Sequence, residues 1–156
     1  MPIEIEKKFL VHPEKWKNLE KPQGEIYRQG YLLTDPQKTI RVRQTSDKGF
    51  ITIKGISVGA KRQEFEYEIP KLEAQELLDQ FTISELSKIR YKIVFENNLW
   101  EVDDFFGDNE GLIVAEIELD DENETFAIPD WIASEVTEDE RYYNSNLTIN
   151  PFKNWK

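Results

Sequence analysis

The sequence predicts an α+β chain dominated by a largely antiparallel sheet of about eight strands. Two observations carry this reading. Charged and apolar residues alternate with a period of two, which places successive side chains on opposite faces of a strand, and the pattern recurs in most segments bounded by turn residues. Helical periodicity is confined to three short stretches.

The first predicted strand, 3–11, opens IEIEKKF, so Glu4, Glu6 and Lys8 share one face and Ile3, Ile5 and Phe9 the other. His12-Pro13-Glu14-Lys15-Trp16-Lys17 starts a short helix with proline near its first turn. Strands are expected at 26–33, 39–45, 50–55 and 62–69, with Asp47-Lys48-Gly49 as a turn. Pro70–Phe81 carries Leu72, Leu77, Leu78 and Phe81 as a helical stripe. Strands then follow at 88–95, 99–105 and 112–120, the last two parted by the turn cluster Gly107-Asp108-Asn109-Glu110-Gly111. Pro129–Val136 is the third predicted helix. Residues 1–156 form one domain, long enough to bury a full core.

The alternation of the first strand returns along the chain. Arg41 and Arg43 flank Val42; Lys54 shares a face with Thr52; Glu64, Glu66 and Glu68 alternate with Phe65, Tyr67 and Ile69. Lys88, Arg90 and Lys92 alternate with Ile89, Tyr91 and Ile93; Glu101 and Asp103 with Trp100 and Val102; Glu116 and Glu118 with Ala115, Ile117 and Leu119. Two architectures accommodate this. In one, the charged faces meet bulk water. In the other, the sheet closes into a barrel with charges inside, which requires them to pair or bind ions. Residue type favours the barrel: the polar faces hold almost only Arg, Lys, Glu and Asp, each strand largely of one sign. Such sets could neutralise one another, or hold a polyphosphate with its metal.

Composition removes several function classes. A net charge of −11 argues against broad nucleic-acid or anionic-membrane binding. Cysteine is absent, which excludes disulfides, thiolate metal sites and cysteine nucleophiles; His12 is the single histidine. There is no signal peptide and no apolar run of membrane-spanning length, so a cytoplasmic protein is expected. Charge is also uneven: residues 1–92 hold 17 Lys/Arg and 14 Asp/Glu, whereas residues 93–140 hold 17 Asp/Glu and no Lys or Arg.

Glu4-Ile5-Glu6-Lys7-Lys8 matches the E-x-E-x-K signature of the CYTH superfamily, the triphosphate tunnel metalloenzymes. The elements that follow support the resemblance in order: Arg41-x-Arg43, Lys54, Glu64/Glu66, Lys88-x-Arg90, Glu101-x-Asp103, Glu116-x-Glu118 and the tail from Glu135 to Tyr142. The resemblance implies a closed eight-stranded antiparallel barrel, a tunnel with a charged interior and a few short helices outside. It further implies hydrolysis or transfer at a triphosphate with Mg²⁺ or Mn²⁺ as cofactor. Carried onto this sequence, Glu4, Glu6, Glu116 and Glu118 are the first metal ligands, with Glu64, Glu66, Glu101 and Asp103 in a second tier, as direct ligands, water-mediated ligands or partners that orient the basic residues. Lys8, Arg41, Arg43, Lys54, Lys88 and Arg90 grip the triphosphate, and Arg141 resembles an arginine that closes one tunnel end. The catalytic set is Lys8, Glu116 and Arg41: the attacking water is activated by a glutamate acting through water or by a lysine whose pKa neighbouring cations lower, with Lys8, crowded by Arg41 and Lys54, the candidate, and the cations stabilise phosphoryl charge.

Within the family, inorganic triphosphate is the expected substrate, cleaved to diphosphate and phosphate. No nucleobase pocket is legible, and the HF pair that precedes the signature in class IV adenylate cyclases is missing. Thiamine triphosphate, a nucleoside triphosphate, or binding of polyphosphate or nucleotide without catalysis are the alternatives. The expected partner is a small-molecule triphosphate, with neither nucleic acid nor membrane, in a monomer or homodimer.

Overall fold

The structure, a computed structural model, describes residues 2–155. Eight strands close into an antiparallel barrel: β1 (Ile3–Val11), β2 (Glu25–Asp35), β3 (Lys38–Gln44), β4 (Gly49–Val58), β5 (Lys61–Ile69), β6 (Ser84–Phe95), β7 (Asn98–Phe105) and β8 (Ile113–Glu118). Around the ring the order is β5-β4-β3-β2-β6-β7-β8-β1, and β1 closes it by pairing back onto β5. Register holds the alternating faces in line: Lys8 stands opposite Glu116, Glu116 opposite Glu101, and Arg90 opposite Asp103.

The closing seam is short. β5 pairs with β1 only through Ile3, Glu4 and Ile5. A ninth strand, β9 (Ile132–Glu135), takes the rest of that edge, pairing at Phe9 and Val11. Between them the Glu6 N–H donates to Ala60 O at 3.0 Å and the Lys8 N–H to Thr137 Oγ1 at 3.1 Å. Glu6 and Lys8, facing inward, are thereby fixed from both sides.

Many of the apolar side chains outside the ring are covered by the remaining chain, while others, such as Ile26 and Val94, stay exposed. Helix α1 (Pro13–Asn18) seats Trp16 against Tyr91 and Trp131, within a cluster that includes Phe9, Trp100 and Ile117. Helix α2 (Lys71–Gln80) lays Ala74 and Leu78 on Val42. The approach is close enough that a Cβ on Gly49 would sit 2.6 Å from that of Ala74, so glycine is required there. Inside the ring the lining changes character at one end. Leu86, Phe105 and Val114 lie two positions from Lys88, Asp103 and Glu116 on the same faces, and they pack with Tyr142 and Leu147 of the tail. The tail carries helix α3 (Asn144–Leu147), and its Phe152 and Trp155 stack back onto the chain rather than standing free.

The predicted strands and the first two helices are present. Pro129–Val136 is not a helix: its second half is β9, because the free edge of β1 offers backbone partners that four residues of helix could not match. No helix among the described residues is long and apolar enough to cross a membrane. Leu78→Ala is expected to cost about 2–5 kcal/mol by opening a cavity under α2, whereas Leu72→Ala, on the exposed face, should stay within about 0.5 kcal/mol. Urea unfolding of the two variants checks the contrast.

Candidate active site

The charged faces of the strands converge on one cavity of about 300 Å³ inside the ring, near the lower limit for ligand sites. Glu4, Glu6, Lys8, Arg41, Arg43, Lys54, Glu66, Lys88, Arg90, Glu116 and Glu118 all line it. Alternation alone achieves this, since every second residue of an antiparallel barrel strand points inward.

Most of the cations are paired across strands. Lys8 Nζ donates to Glu116 at 2.6 Å and Glu6 at 3.0 Å. Despite its burial, these two carboxylates raise its pKa above the ordinary lysine value. Lys54 lies 3.0 Å from Glu4 and 3.2 Å from Glu64. Arg90 forks onto Asp103 with Nε and Nη2 at 2.8 and 2.9 Å, and Lys88 reaches the same carboxylate at 2.7 Å. Burial pushes Asp103 upward, but Arg90 and Lys88 outweigh it and hold the group at about 2. Lys88 goes the other way. Burial, aided by Arg90 and Arg43, lowers it well below the lysine range against the pull of Asp103.

Two arginines are less well matched. Arg41 is 8% exposed; its Nη2 reaches Thr52 Oγ1 at 3.2 Å and Glu66 at 3.3 Å, yet its buried Nε has no hydrogen-bond partner among the described residues. Arg43 is 9% exposed and meets no carboxylate at ion-pair distance among those residues. Burial, with Arg41 and Arg90 nearby, lowers it to about 10. Both Arg43 and Arg90 lie over the Tyr27 ring, with guanidinium carbons 4.9 and 5.1 Å from its centre.

The carboxylates crowd one another. Glu6 lies beside Glu116, and Glu4 beside Glu64, so each pair gathers two negative charges in one place. Burial and the Glu116 charge raise Glu6 well above the carboxylate range. Glu116 is held well below it by Lys8, Glu6, Arg90 and Lys88 despite its burial. Such pairs take a divalent cation in place of protons, and an all-oxygen donor set suits Mg²⁺ or Mn²⁺. No three of these groups form a ready-made cage among the described residues.

Three placements differ from expectation. Arg141 lies outside the cavity lining: it is on the surface, bonded to Asp139 at 2.7 Å and stacked on Trp155. Asp103 is no open metal ligand, being 1% exposed with both oxygens taken by Lys88 and Arg90. Lys8 is not a lysine with a lowered pKa, because register puts it against Glu116; Lys88 is. Residues not singled out beforehand also line the cavity: Arg62, whose charge could have suggested it, and the tail residues Thr137, Tyr143 and Asn144, for which no periodicity gave a signal.

Comparison with known proteins agrees with this architecture. The chain matches the CYTH domain model over residues 2–149. It is 54% identical over 154 residues to a protein of Acetivibrio thermocellus named inorganic triphosphatase, covering 98% of this chain and 97% of the other. A second protein of that name, from Nitrosomonas europaea, is 34% identical, with 94% and 97% covered. Among solved structures, one of an inorganic triphosphatase superposes with a TM-score of 0.65 at 32% identity, over 96% of each chain. A protein of Pyrococcus horikoshii at 22% identity shares the fold, with a TM-score of 0.58 over 77% of this chain and 80% of that one. A signature strand, a closed charged barrel and a family match along nearly its whole length place this chain in the CYTH domain family.

Proposed function

We propose that this chain is a divalent-metal-dependent triphosphatase that hydrolyses inorganic triphosphate to diphosphate and phosphate inside the barrel. One observation carries the reading: Arg41 and Arg43 are buried, face the cavity and keep donor capacity that the carboxylates do not consume. Buried guanidinium groups in that condition call for an anion. The two relatives named inorganic triphosphatase support the choice of anion.

In this reading Arg41, Arg43, Lys54, Lys88 and Arg90 bind the phosphate chain, and the fixed Arg forks stabilise the charge that grows on its oxygens during transfer. Lys8, locked as a cation by Glu6 and Glu116, holds the carboxylate strands together and offers its charge to the substrate. Lys88 is the tunnel lysine able to release or accept a proton, its pKa being lowered by burial and by the arginines beside it. Glu4, Glu6, Glu116 and Glu118, with Glu66 at the edge, would hold Mg²⁺ or Mn²⁺, which would supply charge neutralisation and an acidified water. Asp103 is a fixed counter-charge that orients Arg90 and Lys88.

Phosphate release from inorganic triphosphate, ATP and thiamine triphosphate, each with Mg²⁺, Mn²⁺ or EDTA, tests the proposal. Metal-dependent turnover of inorganic triphosphate well above the other two is expected; turnover mainly of ATP or thiamine triphosphate would displace it. Arg43→Ala should leave the metal-free protein melting within a few degrees of wild type but abolish the rise that triphosphate produces. A preserved ligand-induced rise would count against the tunnel as the binding site.

Asp103→Asn is expected to destabilise the fold by about 3–5 kcal/mol, since two buried cations lose their partner. The folded-state pKa of Asp103 lies below the ordinary value, so its contribution is complete above about pH 4 and fades as the pH falls toward about 2. Acid titration followed by near-ultraviolet circular dichroism should show this limb in the wild type and a shallower one in Asp103→Asn.

A further inference from the structure

Two neutral amides, one buried and one partly buried, lie among the cations of the barrel. Gln29, on β2, is fully buried, and its Oε1 accepts from Nε and Nη2 of Arg43 at 3.1 and 2.9 Å. Its Nε2 donates to Asn144 Oδ1 at 3.1 Å and to the Tyr31 hydroxyl at 3.3 Å. The same Asn144 oxygen accepts from Lys88 Nζ at 2.8 Å. Both amide orientations are dictated by charge, because Arg and Lys only donate and the amide oxygens must face them.

That these acceptors are neutral is the informative point. Lys8, Lys54, Lys88 and Arg90 each reach at least one carboxylate. Arg43 meets none at ion-pair distance among the described residues, although a glutamate at position 29 would have nearly the same shape as glutamine and could form the pair. A carboxylate there would fix the guanidinium and cancel its charge; an amide fixes it and leaves the charge available. We infer that Gln29 is a positioning residue that aims the uncompensated charge of Arg43 into the cavity, with Asn144 holding the Gln29 amide and Lys88 in one frame. Naming the ligand as an oligophosphate rests on the function proposed above; the role of the amide does not.

The test compares Gln29→Glu and Gln29→Leu in the full chain. Metal-free protein is melted, inorganic triphosphate binding with Mg²⁺ is measured by calorimetry, and KM is separated from kcat. Gln29→Glu gains an ion pair with Arg43 but sets a carboxylate oxygen against Asn144 Oδ1, so its metal-free melting temperature should lie above that of Gln29→Leu. It should weaken triphosphate binding at least tenfold, raising KM more than it alters kcat. Gln29→Leu should lower both stability and affinity. Wild-type affinity in Gln29→Glu, or a melting temperature no higher than that of Gln29→Leu, would overturn the inference, and the affinity outcome stands even if Gln29→Leu does not fold. Wild-type protein that binds no triphosphate would instead refute the proposed substrate, and the melting comparison of the two variants would then decide the role of Gln29 alone.

Discussion

Charge compensation in a closed space governs this molecule. An ionised side chain leaves water without ruinous cost only when a counter-charge or hydrogen bond replaces the lost solvation. Here the counter-charges come from neighbouring strands, so ring closure and electrostatic balance depend on one another. Asp103 lies at the centre: fully enclosed, it binds Arg90 and Lys88 and anchors the basic wall. Lys8 does the same for the acidic wall, joining Glu6 of β1 to Glu116 of β8. The register that sets Lys8 opposite Glu116 is therefore as much a property of the site as of the fold.

The balance is deliberately incomplete where chemistry is expected. The same strand, β3, supplies both Arg41 and Arg43, two buried cations whose donors the carboxylates leave partly unused among the described residues. On the opposite side, β1 and β8 bring Glu4, Glu6, Glu116 and Glu118 together, and Glu6 is raised by burial and by its acidic neighbours. An excess of unspent positive charge beside an excess of crowded carboxylates suits a polyanion that arrives with a divalent cation. Apolar packing supplies the rigidity, with the Trp16, Trp100 and Trp131 cluster on one outer side and α2 on another.

Much of this was legible in the chain, because alternation reports inward and outward faces directly. The charged rows of β1, β3, β4, β6, β7 and β8 were readable residue by residue. What alternation does not report is which rows meet. It left Lys8 a plausible low-pKa lysine until pairing with β8 placed two carboxylates on it, and it left Asp103 a plausible metal ligand until β6 covered both oxygens. Segments without periodicity were opaque for a different reason. β9 is four residues long and exists because β1 has an edge to fill, and Asn144 reaches Lys88 from a tail whose path follows from packing on Leu86 and Phe105. Gln29 was overlooked as a neutral residue in YRQGY, although its neutrality is what distinguishes it.

The position of β1 has a consequence for how the barrel comes into being. Its partners are β8, β5 and β9, so residues 3–11 must wait for residues near 118 and 135 before their pairings exist. Synthesised ahead of its partners, this strand is seated late, and loop closure over such separations is slow. The growing chain thus carries Arg41, Arg43 and Lys54 before β6, β7 and β8 have appeared, with β5 the neighbouring source of negative charge. Glu4 and Glu6 complete the neutralisation only when the ring shuts. A strand made before every one of its partners acts as the keystone of the arch.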